Sequence, residues 1–134
     1  KNDLLITKDG TIGVVRLIDT DIEFSIFVSV ALIKPKNKEH SRYLEHILSS
    51  SFIQNQINPK GAALKHLYLK DLKKLKIPIT SVSYMAEIVE ALDKAHFLSE
   101  KLAQNYKKKI KNLEALKTSL LNQVFSSEIS KDAA

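Results

Sequence analysis

The pattern of apolar and polar positions is most regular in the C-terminal part of the chain. From Ser81 to about Ser127 there is no proline or glycine, and apolar residues recur at helical spacing. The residues between them are mainly Ala, Glu, Lys, Gln and Leu, which favour helix. The pattern predicts one helix of roughly 60–70 Å, at about 1.5 Å per residue. Its apolar stripe includes Leu92, Ala95, Leu102, Tyr106, Ile110, Leu113, Leu120 and Val124.

The spacing within this stripe indicates that the helix pairs with another helix. From Ile88 to Tyr106 the steps alternate between four and three residues, as in a coiled coil, and the step to Ile110 adds a second four. The preceding part of the chain is too short to cover the far half of so long a helix. The alternative is a helix buried within its own domain, and the length of the helix makes us favour pairing.

The first 79 residues contain shorter apolar runs with mixed spacing. The predicted fold is α+β, with a small mixed α/β domain at residues 1–79 followed by one long helix at residues 80–134. The predicted elements of the domain are strands at 4–6 and 12–18, a strand buried on both faces at 24–33, a helix at 41–56, a short strand after residue 64, one helical turn near 71–72, and a closing strand at 76–79.

The positive charge is concentrated in this first domain. The net charge is +6, and residues 1–79 carry 13 basic and 8 acidic side chains. The densest basic segment spans residues 60–76, where the only acid is Asp71. Such a segment is either a solvated face or a surface that binds a polyanion, with nucleic acid the first candidate.

Two glycine-containing segments are candidate contact sites. The turn around Gly10 and Gly13 combines backbone N–H groups, a hydroxyl and an ammonium, which can hold a phosphate or a base edge. The alternative is a plain hairpin turn. The segment from Gly61 to His66 combines small residues with cations, so its backbone can approach another molecule closely.

Motifs for catalysis or membrane insertion are missing from the sequence. It contains no phosphate-binding loop, no His-Glu-x-x-His helix and no Gly-x-Ser-x-Gly elbow, and its four histidines lack metal-ligand spacing. Asp9 with Asp19 or Asp21 could hold Mg²⁺ in a nuclease, but the rest of such a motif is missing. We therefore expect a non-enzymatic protein without metal or cofactor. With no cysteine and no long apolar run, we expect it in the cytoplasm and not in a membrane.

Four segments follow one another in a characteristic order, at residues 3–13, 43–50, 61–79 and 88–93. This order resembles the specificity subunit of type I restriction–modification systems. The likeness covers nearly the whole chain, as the back half of one target recognition domain and the spacer helix after it. The Pro-Pro-x-x-Glu-Gln box that commonly precedes the family's helix is replaced here by Thr-Ser-Val-Ser-Tyr-Met at residues 80–85.

The resemblance implies a DNA-reading role. In that family the recognition domain reads a half-site in double-stranded DNA, and the long helix pairs antiparallel with a second spacer helix, in the same chain or in a homodimer. Methyltransferase and restriction subunits carry the chemistry. The residues that the resemblance and the charge pattern place on DNA are Thr7, Lys8, Gly10, Thr11, Gly13, Lys60, Gly61, Lys65, His66 and Lys70.

Two other functions stay open at this point. One is a structural or oligomerisation module whose basic domain is incidental. The other is a fragment of a metal-dependent nuclease. Salt-dependent binding to duplex DNA distinguishes the first from a DNA reader, because a protein that neutralises several phosphates loses affinity steeply with salt.

Overall fold

A computed structural model describes residues 1–61 and 65–132, with side chains up to residue 126. The fold is α+β, as predicted, and it divides into one compact unit at Lys1–Leu92 and a second that starts at Asp93. The elements are β1 (Leu4–Thr7), β2 (Val15–Leu17), β3 (Val30–Ile33), a 3-10 turn (Lys38–His40), α1 (Ser41–Ser49), α2 (Ser51–Gln54), α3 (Leu69–Leu72) and α4 (Val82–Asp132).

The three strands form an antiparallel sheet in the order β2-β1-β3. Alternate residues of β1 point to opposite faces, and Leu4 and Ile6 on the inner face are fully buried. Helices α1 and α2 and the segment before α3 cover that face. The buried core consists of Leu4, Ile6, Val15, Ala31, Leu48, Ile53 and Leu67.

The strand predicted at 24–33 is wrong in its first half. Only Val30–Ile33 is a strand, and the apolar side chains from Phe24 to Val28 are exposed rather than buried on both faces. The reason is the length of β1, whose last residue, Thr7, pairs with Val30. Residues before Val30 therefore extend past the end of β1 and have no strand to pair with.

The helix predicted at 41–56 is interrupted at Ser50, which has an extended backbone (φ −71°, ψ 152°). Ser50 is the middle residue of a run of three serines. Its hydroxyl donates to the Ile47 carbonyl at 2.6 Å. Serine side chains compete in this way with the helical hydrogen bonds, and the break separates α1 from α2.

The closing strand predicted at 76–79 is also wrong, although the helical turn predicted just before it is present as α3. Pro78 lacks the N–H that a strand ladder needs. Side chains instead form hydrogen bonds with the backbone groups of this segment. Gln56 Oε1 accepts from the Lys76 N–H at 3.0 Å, and the Tyr43 hydroxyl donates to the Pro78 carbonyl at 2.9 Å.

The long helix predicted from Ser81 is confirmed as α4, which has 51 residues. The Ser81 hydroxyl accepts from the backbone N–H of Tyr84 at 3.3 Å and so helps to satisfy the first turn. Met85, in the first compact unit, is buried. In the second unit, the described apolar side chains of the stripe are all exposed in the single chain.

Candidate nucleic-acid interface

The turn between β1 and β2 is fixed by hydrogen bonds at both ends. Thr7 N–H donates to the Val14 carbonyl at 3.0 Å, and Gly13 N–H donates to the Thr7 carbonyl at 2.9 Å. The Thr7 hydroxyl donates to the Thr11 carbonyl and accepts from the Val14 N–H. Gly10 has a φ of 67°, in the left-handed region that suits glycine. The turn therefore presents Gly10 and Thr11, which are both exposed, in a defined conformation.

Gly13 meets α2 directly. It is buried, with a φ of 86°, and a Cβ added there would lie 2.5 Å from Gln54 Oε1. Gln54 Nε2 donates to the carbonyls of Gly13, at 2.9 Å, and of Leu48, at 2.7 Å. The close approach that this glycine permits is thus to Gln54 inside the domain, and it ties the turn to the helical layer.

The turn also contacts the second predicted segment, although the two are more than fifty residues apart. Leu67 N–H donates to the Lys8 carbonyl at 2.9 Å, and the ring Nδ1 of His66 contacts Asp9 Oδ1. On its other side His66 exchanges two backbone hydrogen bonds with Lys60, at 3.0 and 2.8 Å. Both predicted contact segments therefore lie at one place on the domain. Residues 62–64 of the second segment lie outside the described residues.

Tyr68 belongs to the same surface but was not among the predicted residues. Its ring lies edge-on to that of His66, with centroids 4.7 Å apart, and Lys70 Nζ lies 5.3 Å from the ring centroid. The Tyr68 side chain is exposed. An aromatic residue between two cations is typical of nucleic-acid-binding surfaces, so the Lys-His-Leu-Tyr-Leu-Lys pattern at 65–70 was the available signal.

The lysines of this surface fall into two groups. Lys60 and Lys74 lie 4.0 and 3.6 Å from the carboxylate of Asp71, which neutralises part of their charge. In the described part of the chain, no carboxylate lies within salt-bridge distance of Lys65 or Lys70. These two ammonium groups are therefore available to an external anion, next to Tyr68.

Asp9, which the sequence offered as a possible Mg²⁺ ligand, contacts His66 instead. The carboxylate of Asp21, one of its two proposed partners, lies 3.6 Å from Lys1 Nζ. Among the side chains described at residues 1–61 and 65–126, no three of His, Cys, Asp or Glu are placed to hold a metal ion. In the same residues, no helix is both long and apolar enough to cross a membrane.

A second candidate surface runs along α4. Each residue of the predicted pairing stripe is exposed in the single chain. Lys109 Nζ lies 5.7 Å from the ring centroid of Tyr106 within this stripe. Such a row of large apolar side chains on one helix is typical of helix–helix association. The stripe consists of Leu92, Ala95, Leu102, Tyr106, Ile110, Leu113, Leu120 and Val124.

The described chain thus combines a small α+β domain that has a basic, aromatic-containing surface with a long helix that has an exposed apolar stripe. Residues 1–115 match the family model of the type I restriction modification DNA specificity domain. The chain therefore belongs to that family. It is also 31% identical over 132 residues to the type I restriction enzyme EcoBI specificity subunit of Escherichia coli. That alignment covers 96% of the chain and 28% of the length of that relative. No solved structure matches the chain significantly.

Proposed function

We propose that this chain reads a DNA half-site for a type I restriction–modification complex and directs methyltransferase and restriction subunits to it. The observation that carries the proposal is the contact between the Thr7–Gly13 turn and the 65–70 segment. Two segments distant in sequence, each with cations or hydrogen-bonding groups, form one surface in the first compact unit. Membership of the DNA specificity domain family supports the same conclusion.

The surface has the two kinds of group that DNA recognition needs. Lys65 and Lys70 offer ammonium groups for phosphates, which position the protein without reading sequence. His66 and Thr11 offer the ring Nε2 and a hydroxyl that can reach base edges. We assign DNA contact to residues within 1–79, and among them to Thr7, Lys8, Gly10, Thr11, Lys60, Gly61, Lys65, His66 and Lys70, with Tyr68 added. Gly13, which is buried against Gln54, is assigned a supporting role in the turn.

The long helix, within residues 80–134, has a second role in this proposal. Its stripe pairs antiparallel with another spacer helix, from the same assembly or from a second copy of the chain, and so sets the distance between two recognition domains. The exposure of Leu102, Ile110 and Leu113 supports this role, because apolar side chains gain about 25 cal/mol per Å² when covered.

The chain itself is proposed to be non-catalytic. Among the described carboxylates at the basic surface, Asp9 is engaged with His66, and Asp71 faces Lys60 and Lys74. Neither arrangement leaves a pair of carboxylates to hold a metal ion for hydrolysis. Family membership supports the assignment of methylation and cleavage to partner subunits.

A salt titration tests the DNA-reading role against the structural-module alternative. The chain is titrated into a fluorescently labelled duplex at several salt concentrations, first as wild type and then as Lys60→Ala, Lys65→Ala, Lys70→Ala combined. Each phosphate contact contributes about 0.9 to the slope of log K against log salt, so the triple variant should lower the slope by up to about 3.

The matched control removes the same number of charges from the helix, as Lys101→Ala, Lys111→Ala, Lys117→Ala combined. This control should bind DNA with the wild-type slope. If the wild-type chain does not bind duplex DNA, or if both triple variants lose the same affinity, the basic surface is only a solvated face.

A further inference from the structure

The imidazole of His66 is held in one orientation within the proposed DNA surface. Its backbone is fixed by two hydrogen bonds to Lys60, and its ring packs edge-on against Tyr68. Ring Nδ1 faces Asp9 Oδ1. The side chain is nevertheless 32% exposed, so part of the ring is open to a ligand. The ring is therefore held by its contacts with Asp9 and Tyr68, and its exposed part can bind a ligand.

The contact with Asp9 determines which ring nitrogen carries the proton. An ionised carboxylate only accepts hydrogen bonds, so Nδ1 must be the donor. In the neutral imidazole the other nitrogen, Nε2, then carries a lone pair and accepts. Across the described residues no hydrogen bond engages Nε2. With the imidazole neutral, the site offers one oriented acceptor beside the exposed turn residues Gly10 and Thr11.

We infer that His66 is a specificity-determining residue, whose Nε2 accepts a hydrogen bond from the exocyclic amino group of adenine or cytosine in the major groove. This inference rests on the proposed function. In the major groove, adenine N6 and cytosine N4 are donors, whereas guanine O6 and thymine O4 are acceptors. An acceptor at a fixed position thus favours A or C over G or T on the strand that it contacts.

The size of the effect follows from the net worth of one hydrogen bond. About 0.5–1.5 kcal/mol corresponds to roughly 2- to 12-fold discrimination at one position of the oriented site. The probe is a pool of duplexes with a randomised central segment, from which bound molecules are selected and sequenced. The wild-type protein should show a site with one position that is enriched in A or C by this factor.

Two substitutions separate base reading from structural support. In His66→Asn, the side-chain amide lies near the position of Nδ1 and can still donate to Asp9, but nothing replaces Nε2. Discrimination at the one position should disappear while the rest of the site is retained. A residue that only supported the turn would behave like wild type in this variant, because the contact with Asp9 is kept.

In Asp9→Asn, the new amide can donate to Nδ1 and so move the ring proton to Nε2, as the corresponding change does in a serine-protease triad. The preference should then shift toward G or T at the same position. Lys65→Ala is the control, since it should weaken binding to all duplexes and leave the selected site unchanged. Thermal unfolding of each variant shows that it is folded, and Asp9→Asn decides alone if His66→Asn does not fold.

The outcomes distinguish this inference from the function on which it rests. If the wild-type protein enriches no sequence, the proposed function fails. If it enriches a site that both variants leave unchanged, the DNA-reading role stands and the assignment of His66 is wrong. Enrichment of G or T by the wild-type protein at the position that the variants affect also overturns the assignment, because Nε2 would then donate to guanine O6 or thymine O4 instead of accepting.

Discussion

Replacing Gly13 by Ala should destabilise the first compact unit more than the same substitution at Gly10, the other glycine of the turn. The left-handed backbone (φ 86°) costs a residue with a Cβ about 1–2 kcal/mol. The added Cβ would also meet Gln54 Oε1 at 2.5 Å and displace this side chain. Two hydrogen bonds, to the carbonyls of Gly13 and Leu48, are then lost or weakened at about 0.5–1.5 kcal/mol each. The expected loss of unfolding free energy is about 2–5 kcal/mol.

Gly10→Ala is the matched control, since Gly10 has a similar φ of 67° but no atom within 4 Å of the added Cβ. Gly10→Ala should lower the free energy of unfolding only by the cost of the left-handed backbone, about 1–2 kcal/mol. Urea unfolding followed by tyrosine fluorescence measures both, because Tyr43 is buried and the chain has no tryptophan. In a Gln54→Ala background the cost of Gly13→Ala should fall to that of Gly10→Ala. Equal costs of the two glycine variants in the wild-type background would refute the reasoning.

Three further outcomes follow from the two surfaces and from one ion pair. Ile110→Asp and Leu113→Asp, both at exposed stripe positions, should each shift the mass measured by light scattering at high micromolar concentration toward the monomer. An unchanged mass, or a wild-type chain that is already monomeric, would contradict helix pairing. Rigorously purified chain should neither cleave nor methylate DNA with Mg²⁺ and a methyl donor, and turnover above background would show otherwise. The hydrogen bond from Lys38 lowers the pKa of Asp3, so the stability from this pair is present above the unfolded pKa of 3.8 and is lost as pH falls through the lower folded pKa. Lys38→Gln should therefore reduce the urea midpoint more at pH 7 than at pH 2, and an equal reduction at both would exclude the pair as the cause.

The elements that the sequence predicts well are those whose signal is local. The helix α4 rests on a repeated spacing with no proline or glycine over its length, and α3 on a short pattern around Asp71. The turn around Gly10 between β1 and β2 is also predicted, but the strand predicted at 12–18 starts only at Val15, because Gly13 has a positive φ and belongs to the turn.

The elements that it predicts poorly depend on partners distant in the chain. An apolar run at 24–33 has the composition of a strand, but where β3 begins is decided by where β1 ends at Thr7. The candidate site shows the same limit. Its two segments were each identified from composition, yet their contact through Asp9 and His66 joins residues 57 positions apart, which no local pattern reveals.

The most direct test of the central claim is an NMR titration of the ¹⁵N-labelled chain with duplex DNA. The account predicts that amide shifts concentrate in two places, at residues 7–13 and 65–70, and that they move together, because Leu67 N–H is bonded to the Lys8 carbonyl. Amides of α4 beyond Asp93 should change little. Shifts confined to α4, or a spectrum that DNA leaves unchanged at low salt, would contradict the assignment of this surface to DNA.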